Sequence, residues 1–109
     1  MSVKKVRLVL KACAEDTRLR IISLLEGEEL PVGEICRTLK VSQSVISKHL
    51  SRLRFLKIVT DRRRGNRVFY TLTNKTDSFQ YEIVAFLQAQ CKDIPSLKID
   101  KKSLQRPKN

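Results

Sequence analysis

The chain has 109 residues, of which 41% are hydrophobic, as expected for one globular domain with a small core. Lys and Arg number 23 against 11 Asp and Glu, a net charge of +12, which predicts attraction to nucleic acid or to an anionic membrane surface. The sequence lacks the run of about 18 apolar residues that a membrane-spanning helix needs. Its basic N-terminus also lacks the apolar stretch of a signal peptide, so we expect a cytoplasmic protein.

The first half of the chain shows the apolar spacing of four helices. Val6, Val9, Leu10 and Cys13 repeat at helical intervals, which predicts an amphipathic first helix. The next helix is apolar on most sides, which is typical of a helix buried in a core. Capping residues and helix breakers set the limits. The predicted helices cover residues 3–14, a segment from Asp16 or Thr17 to Gly27, a short segment after Pro31, and residues 42–56.

A hairpin and one more helix follow. Val68, Tyr70 and Leu72 alternate with other residues, as in a half-buried strand, and Gly65-Asn66 suits a two-residue hairpin turn. Asp77 is a candidate cap for a last helix that ends at Pro95. The sequence thus predicts a mainly α fold with a small β-hairpin, a winged helix-turn-helix, in one domain over residues 1–94. Residues 95–109 are predicted to form a basic, mobile tail.

The fourth helix carries the pattern of a DNA-reading helix. Its predicted outer side has small hydroxyls and two cations, with no carboxylate between Ser42 and Val59. Such a surface suits close approach to the major groove, whereas an ordinary solvated helix is the alternative explanation. The first turn of a recognition helix usually contacts base edges. The candidate residues are Gln43, Ser44, Ser47, Lys48, Ser51 and Arg52, with Val45 among the residues on the opposite, packing side.

Arginines cluster around the hairpin turn, with only Asp61 to offset them locally. From Ser42 to Arg67 the chain has eight Lys or Arg residues and one acidic residue. Cations at this density suit contacts to DNA phosphates or insertion into a minor groove. The predicted phosphate-binding residues are Arg62, Arg63, Arg64 and Arg67.

Four segments together resemble the ArsR-type (ArsR/SmtB) family of winged helix-turn-helix repressors. They are Ala14 to Ile21, Glu29 to Cys36, Val41 to Arg54, and the hairpin from Arg63 to Tyr70. The resemblance covers about residues 5–92. It implies a repressor that binds double-stranded DNA as a homodimer and leaves its operator when an effector binds. One departure is Lys57, where the family often has Gly. Either Lys57 adopts the left-handed conformation that Gly usually provides, or the helix ends without a left-handed residue.

The first and last predicted helices have more apolar surface than one small core can use, which predicts a second copy of the chain as partner. In the resemblance these two helices form the dimer interface. A two-fold dimer would present two recognition helices to an inverted-repeat operator. The alternative is that both apolar faces belong to one monomeric core.

The three cysteines, Cys13, Cys36 and Cys91, all fall on apolar faces and are expected to be free thiols. One interpretation is that they are small hydrophobic core residues. The other pairs Cys13 with Cys91 as an effector site for arsenite or a thiol oxidant. The arsenic-sensing and zinc-binding positions of the family are incomplete here, so we expect no metal site and no cofactor.

An enzyme and a basic interaction module are the alternatives to a repressor. The sequence has one histidine, no glycine-rich phosphate loop and no CxxC motif, so it offers no arrangement typical of an enzyme. The second class is a basic module that binds nucleic acid or an anionic surface without sensing an effector. RNA readers usually present aromatic stacking platforms, and the adjacent aromatics Phe69 and Tyr70 alternate along a strand, which favours DNA.

Overall fold

The structure is a computed structural model that describes residues 1–104. In chain order, the elements are α1 (Val3–Cys13), α2 (Asp16–Leu24), β1 (Leu30–Pro31), α3 (Val32–Leu39), α4 (Gln43–Phe55), β2 (Val59–Arg64), β3 (Arg67–Leu72), α5 (Phe79–Cys91) and α6 (Pro95–Ser103). The predicted winged helix-turn-helix is confirmed: α3 and α4 form the helix-turn-helix, and β2 and β3 form the hairpin, or wing. None of the described helices is long and apolar enough to cross a bilayer.

Helix α2 is the centre of the core. Ile21, Ile22, Leu24 and Leu25 are all 2% exposed or less, which agrees with the prediction of a core helix. The other helices place apolar side chains around it, including Val9 of α1 and Val84 of α5. Because α4 also buries Ile46, Leu50 and Leu53, its orientation is fixed by the same core.

The sheet is antiparallel, with β3 between β1 and β2. Gly65 has φ of +63° at the hairpin turn, where it provides the positive φ that a two-residue turn needs. Strand β1 was not predicted: it has two residues and pairs Leu30 with Tyr70. This pairing joins the wing to the chain segment just before α3.

Two predicted helix starts shift by one or two residues. Glu15, not Asp16 or Thr17, caps α2 and accepts a hydrogen bond from the Arg18 amide, and Ser78, not Asp77, caps α5. At the end of α4, Lys57 has φ of +63°, one of the two conformations that the sequence left open. The Ile58 amide then donates to the Leu53 carbonyl, and the Lys57 amide donates to the Arg54 carbonyl. These two hydrogen bonds satisfy two terminal carbonyls of the helix.

The prediction of a mobile tail after Pro95 is wrong for the described part of that segment. Pro95 begins α6 instead of ending α5, because proline is favoured in the first turn of a helix. Leu97 and Asp100 face inward and are buried. Helix α6 packs against α2 and α3, so the folded unit extends beyond the predicted limit at residue 94. Residues 105–109 of the predicted tail lie outside the described residues.

An ion pair between the buried Asp100 and the half-buried Arg20 holds α6 in place. The Asp100 carboxylate accepts hydrogen bonds from Nε and Nη2 of Arg20 at 2.9 and 3.0 Å. The same Arg20 Nη2 donates to the carbonyl of Leu39, the last residue of α3, at 2.9 Å. Arg20 therefore connects α6 to the helix-turn-helix through α2.

We expect Asp100→Ala to reduce the free energy of unfolding by about 2 kcal/mol, because it leaves the Arg20 guanidinium without its charged acceptor. Urea denaturation at one protein concentration measures this change. Asp93→Ala is the matched control, since it removes an acid from the exposed α5–α6 connection and should cost about 0.5 kcal/mol or less. Equal losses in both variants would contradict a stabilising role for the ion pair.

Candidate nucleic-acid interface

The outer face of α4 consists of those predicted DNA-contacting residues that are exposed. Five of the six predicted base- or phosphate-contacting residues on this helix are exposed, and Ser47 is half-buried. The outer face therefore comprises Gln43, Ser44, Lys48, Ser51 and Arg52. Helix α4 has no acid in its first turn and two arginines in its last turn. This distribution leaves a polar surface without negative charge, as the sequence predicted.

Val45 was wrongly placed on the packing side of α4. It is 40% exposed, whereas its neighbour Ile46 is fully buried and bonds through its amide to the Ser42 carbonyl. Ser42 is the N-cap, as predicted, although its side chain makes no capping hydrogen bond. The first turn of α4 thus exposes a small apolar side chain beside Ser44, a contact suited to a thymine methyl group.

Helix α4 is anchored to the first two helices through His49. The Arg18 guanidinium donates from Nη1 to His49 Nδ1 at 3.0 Å and from Nε to the carbonyl of Ala12. His49 Nε2 lies 3.9 Å from a carboxylate oxygen of Glu15. His49 is half-buried, on the side of α4 that faces α1 and α2.

The wing lies directly beside α4. Strand β2 packs against α4, and Arg54 Nη1 donates to the Asp61 carboxylate at 3.0 Å. The four wing arginines are all exposed. Two of them, Arg64 and Arg67, lie over the Phe69 ring at 4.9 and 5.3 Å from its centroid, a geometry that supports cation–π attraction.

The wing arginines are less free than the sequence suggested. Glu29, in the segment before β1, accepts hydrogen bonds from Arg62 at 2.7 and 3.1 Å and from Arg64 at 3.2 Å. The hydrogen bonds from Arg62, together with the charges of Arg62 and Arg64, hold the pKa of the Glu29 carboxyl below its ordinary value. The expectation that Asp61 alone offsets this cluster was wrong. Glu29 was missed because it lies 33 positions from Arg62 along the chain. Arg63 makes no ion pair within the described residues.

The three cysteines occupy different environments. Cys13 is 6% exposed and belongs to the core, whereas Cys36 and Cys91 are half-buried. All three are free thiols within the chain. Burial raises the pKa of the Cys13 thiol and that of Cys36. Cys91 lines a cleft between α2, α5 and α6 together with Ser23 and Leu97.

Residues 1–104 contain no cluster of three or more His, Cys, Asp or Glu side chains that could hold a metal ion. The lone histidine, His49, has Arg18 and Glu15 as neighbours. Its position in this structure is that of an anchor between helices.

Large apolar side chains remain exposed on α1 and α5. Val3 and Leu10 of α1 are 85% and 47% exposed, and Phe86 of α5 is 59% exposed. Val3 and Leu10 are seven positions apart, so they lie on one face of α1. Val84 of α5, in contrast, is buried at 5% exposure.

Comparison with known proteins places this architecture in a family. Residues 15–61, from the start of α2 into β2, match the family described as bacterial regulatory protein, arsR family. The chain is 38% identical over 86 residues to the transcriptional activator HlyU of Vibrio cholerae, covering 79% of this chain and 80% of that protein. It is 34% identical over 64 residues to the transcriptional repressor SdpR of Bacillus subtilis, covering 59% of this chain and 71% of that protein.

Solved structures agree with these matches. Reduced HlyU from Vibrio cholerae superposes with a TM-score of 0.69 at 36% identity, covering 80% of this chain and 88% of that one. The homodimeric winged helix-turn-helix DNA-binding domain Mb0332 from Mycobacterium bovis gives a TM-score of 0.71 at 26% identity, covering 84% of this chain and 82% of that one. The shared architecture and the identity over most of its length show that this chain belongs to the arsR family of bacterial transcriptional regulators.

Proposed function

We propose that this protein is a transcriptional repressor that binds an inverted-repeat operator as a homodimer. The observation that carries the proposal is the outer face of α4, an exposed helix surface free of carboxylates that lies beside an arginine-rich wing. Gln43 and Ser44, in the first turn, would read base edges, and the longer cations would hold phosphates. Membership of the arsR family supports this assignment of roles.

The proposed dimer uses the exposed apolar faces of α1 and α5. Val3, Leu10 and Phe86 would be buried by a second copy, and burying apolar area at about 25 cal/mol per Å² favours association. The homodimeric Mycobacterium bovis relative has the same architecture, which supports this arrangement. A two-fold axis through these helices would place two copies of α4 about one DNA turn apart.

Selection of bound sequences from a random duplex pool tests the function. We expect the recovered sites to be inverted repeats with half-sites separated by about 10 base pairs. Gln43→Ala with Ser44→Ala should change the recovered half-site more than it changes affinity for unrelated duplex, since these residues would contact bases. Recovery of random sequence, or equal binding to single-stranded RNA and anionic vesicles, would instead indicate a basic interaction module.

The pairing of Glu29 with Arg62 and Arg64 leads to two variants with opposite expected effects on DNA affinity. Arg63→Ala should weaken binding to every duplex and reduce the salt slope by about one per lost phosphate contact. Glu29→Gln should strengthen non-specific binding several-fold, because it removes a negative charge and releases two arginines. Fluorescence anisotropy at several salt concentrations measures both effects.

The controls for these variants change charge elsewhere. Lys102→Ala on α6 matches Arg63→Ala, and Asp93→Asn in the exposed α5–α6 connection matches Glu29→Gln. If each control shifts affinity as much as its partner, overall charge rather than the wing determines binding.

We also propose that a thiol-reactive or metalloid effector acts through the cysteines, with Cys91 as the first group to react. Cys91 is half-buried and faces a cleft, whereas Cys13 is in the core. Approach of Cys13 and Cys91, within one subunit or across two, remains part of this proposal. Such a pairing would require α1 to move, because the Cys13 side chain is enclosed by the core.

Alkylation with iodoacetamide at pH 7, followed by mass spectrometry, measures the accessibility of each thiol. We expect Cys91 to react first and Cys13 last, because thiolate is the reactive form and burial raises the pKa of the Cys13 thiol. The Cys13 rate should rise as the pH increases towards that raised pKa. In concentrated urea all three cysteines should react at similar rates. Reaction of Cys13 in the native protein as fast as Cys91 would contradict this order.

A further inference from the structure

A second cationic site lies apart from the wing, in a cleft where α1, α2 and α4 meet. Three basic side chains, one from each helix, line the cleft together with Leu8 and Ala12: they are Lys11, Arg18 and Arg52. No acidic residue is among the cleft-lining residues. The cleft has a volume of about 130 Å³, compared with about 10–15 Å³ for a single water on the same measure.

The three cations are not neutralised by carboxylates at the cleft. None of them forms an ion pair within 4 Å in the described part of the chain. Glu15 is nearby and its charge attracts Arg18 beyond ion-pair distance, while its carboxylate accepts from the Arg18 backbone amide at 2.8 Å and lies towards His49. Three cations that converge with one carboxylate beyond ion-pair distance still repel one another, so an anion in the cleft would lower the energy of the folded protein.

The Arg18 side chain is held in a fixed orientation in this cleft. Its guanidinium is held by the Ala12 carbonyl and by His49 Nδ1, and its side chain is half-buried. A guanidinium that is already oriented loses less entropy when it binds an oxyanion, and its planar fork suits phosphate oxygens. Lys11 and Arg52 are exposed and can close on the ligand from either side.

We propose that the cleft formed by Lys11, Arg18 and Arg52 binds a phosphate-type oxyanion. Arg52 also belongs to the outer face of α4, so a backbone phosphate of bound DNA would reach the cleft next to the recognition surface. Free inorganic phosphate has the same chemistry and is the other source. The DNA source rests on the proposed function, whereas binding of free phosphate does not. An occupied cleft would connect α1, which carries the proposed dimer surface, to α4.

The test compares two double variants that each remove two positive charges. Lys11→Gln with Arg52→Gln alters the cleft, and Lys98→Gln with Lys102→Gln alters exposed positions on α6. Arg18 is left intact because its hydrogen bonds contribute to the fold. Lys11→Arg with Arg52→Lys, which keeps both charges, should retain binding, so that a loss in the Gln variant reports the missing charges rather than replacement of the side chains.

The first arm titrates inorganic phosphate at constant ionic strength and follows the backbone amides by NMR. We expect saturable shifts at the end of α1 and the start of α2 in the wild type and the α6 variant, and their loss in the cleft variant. The second arm measures duplex affinity against salt concentration. We expect the slope to fall by about 2 for the cleft variant of a dimer, one lost phosphate contact per subunit, and to be unchanged for the α6 variant.

Loss of the phosphate-dependent shifts supports the oxyanion site directly. The duplex arm supports it, with DNA as the source, when Lys11→Gln alone also lowers the salt slope, because Arg52 belongs to the outer face of α4 as well as to the cleft. If the cleft and α6 variants behave alike in both arms, the proposal is overturned. A wild-type protein that fails to bind duplex would refute the proposed function, while the phosphate titration would still decide whether the cleft binds an oxyanion.

Discussion

The structure depends on how α4 is buried. Ile46, Leu50 and Leu53 are at most 1% exposed, and this inner side of the helix packs into the core centred on α2. Burying one side of a helix fixes which residues its other side presents. The same packing energy that stabilises the fold therefore orients the outer face, so its residues need no separate structural support. Arg18 and His49 add a polar connection from the same helix to α1 and α2.

Much of this architecture could be predicted from local sequence patterns. Helical spacing of apolar residues identified α1 to α5, and the Gly-Asn pair with alternating residues identified the wing, because these signals lie within a few residues of one another. Helix α6 was missed since only Leu97 gives it an apolar anchor, while its second buried group is the charged Asp100. A carboxylate in that position is stable only because Arg20, 80 positions away, faces it.

The same reasoning explains what could be predicted of the candidate site. The composition of α4 and the wing identified nearly all of the exposed cations of the candidate interface, since the charge of a side chain is read directly from sequence. Their partners were not predictable: Glu29 meets Arg62 through the pairing of β1 with β3, and Lys11, Arg18 and Arg52 meet only when three helices pack. Val45 was misplaced because an exposed apolar side chain looks, in sequence, like a buried one.

The contact between Glu29 and the wing links the shape of the protein to its ionic surroundings. An exposed ion pair of this kind is screened by dissolved salt. As ionic strength rises, the hairpin loses part of its tether to the segment before α3, at the same time as its attraction to phosphates declines. At low ionic strength the hairpin would stay docked on this segment, whereas at high ionic strength its orientation would vary more. Salt would thus affect the wing in two ways, by weakening its attraction to phosphates and by increasing its mobility.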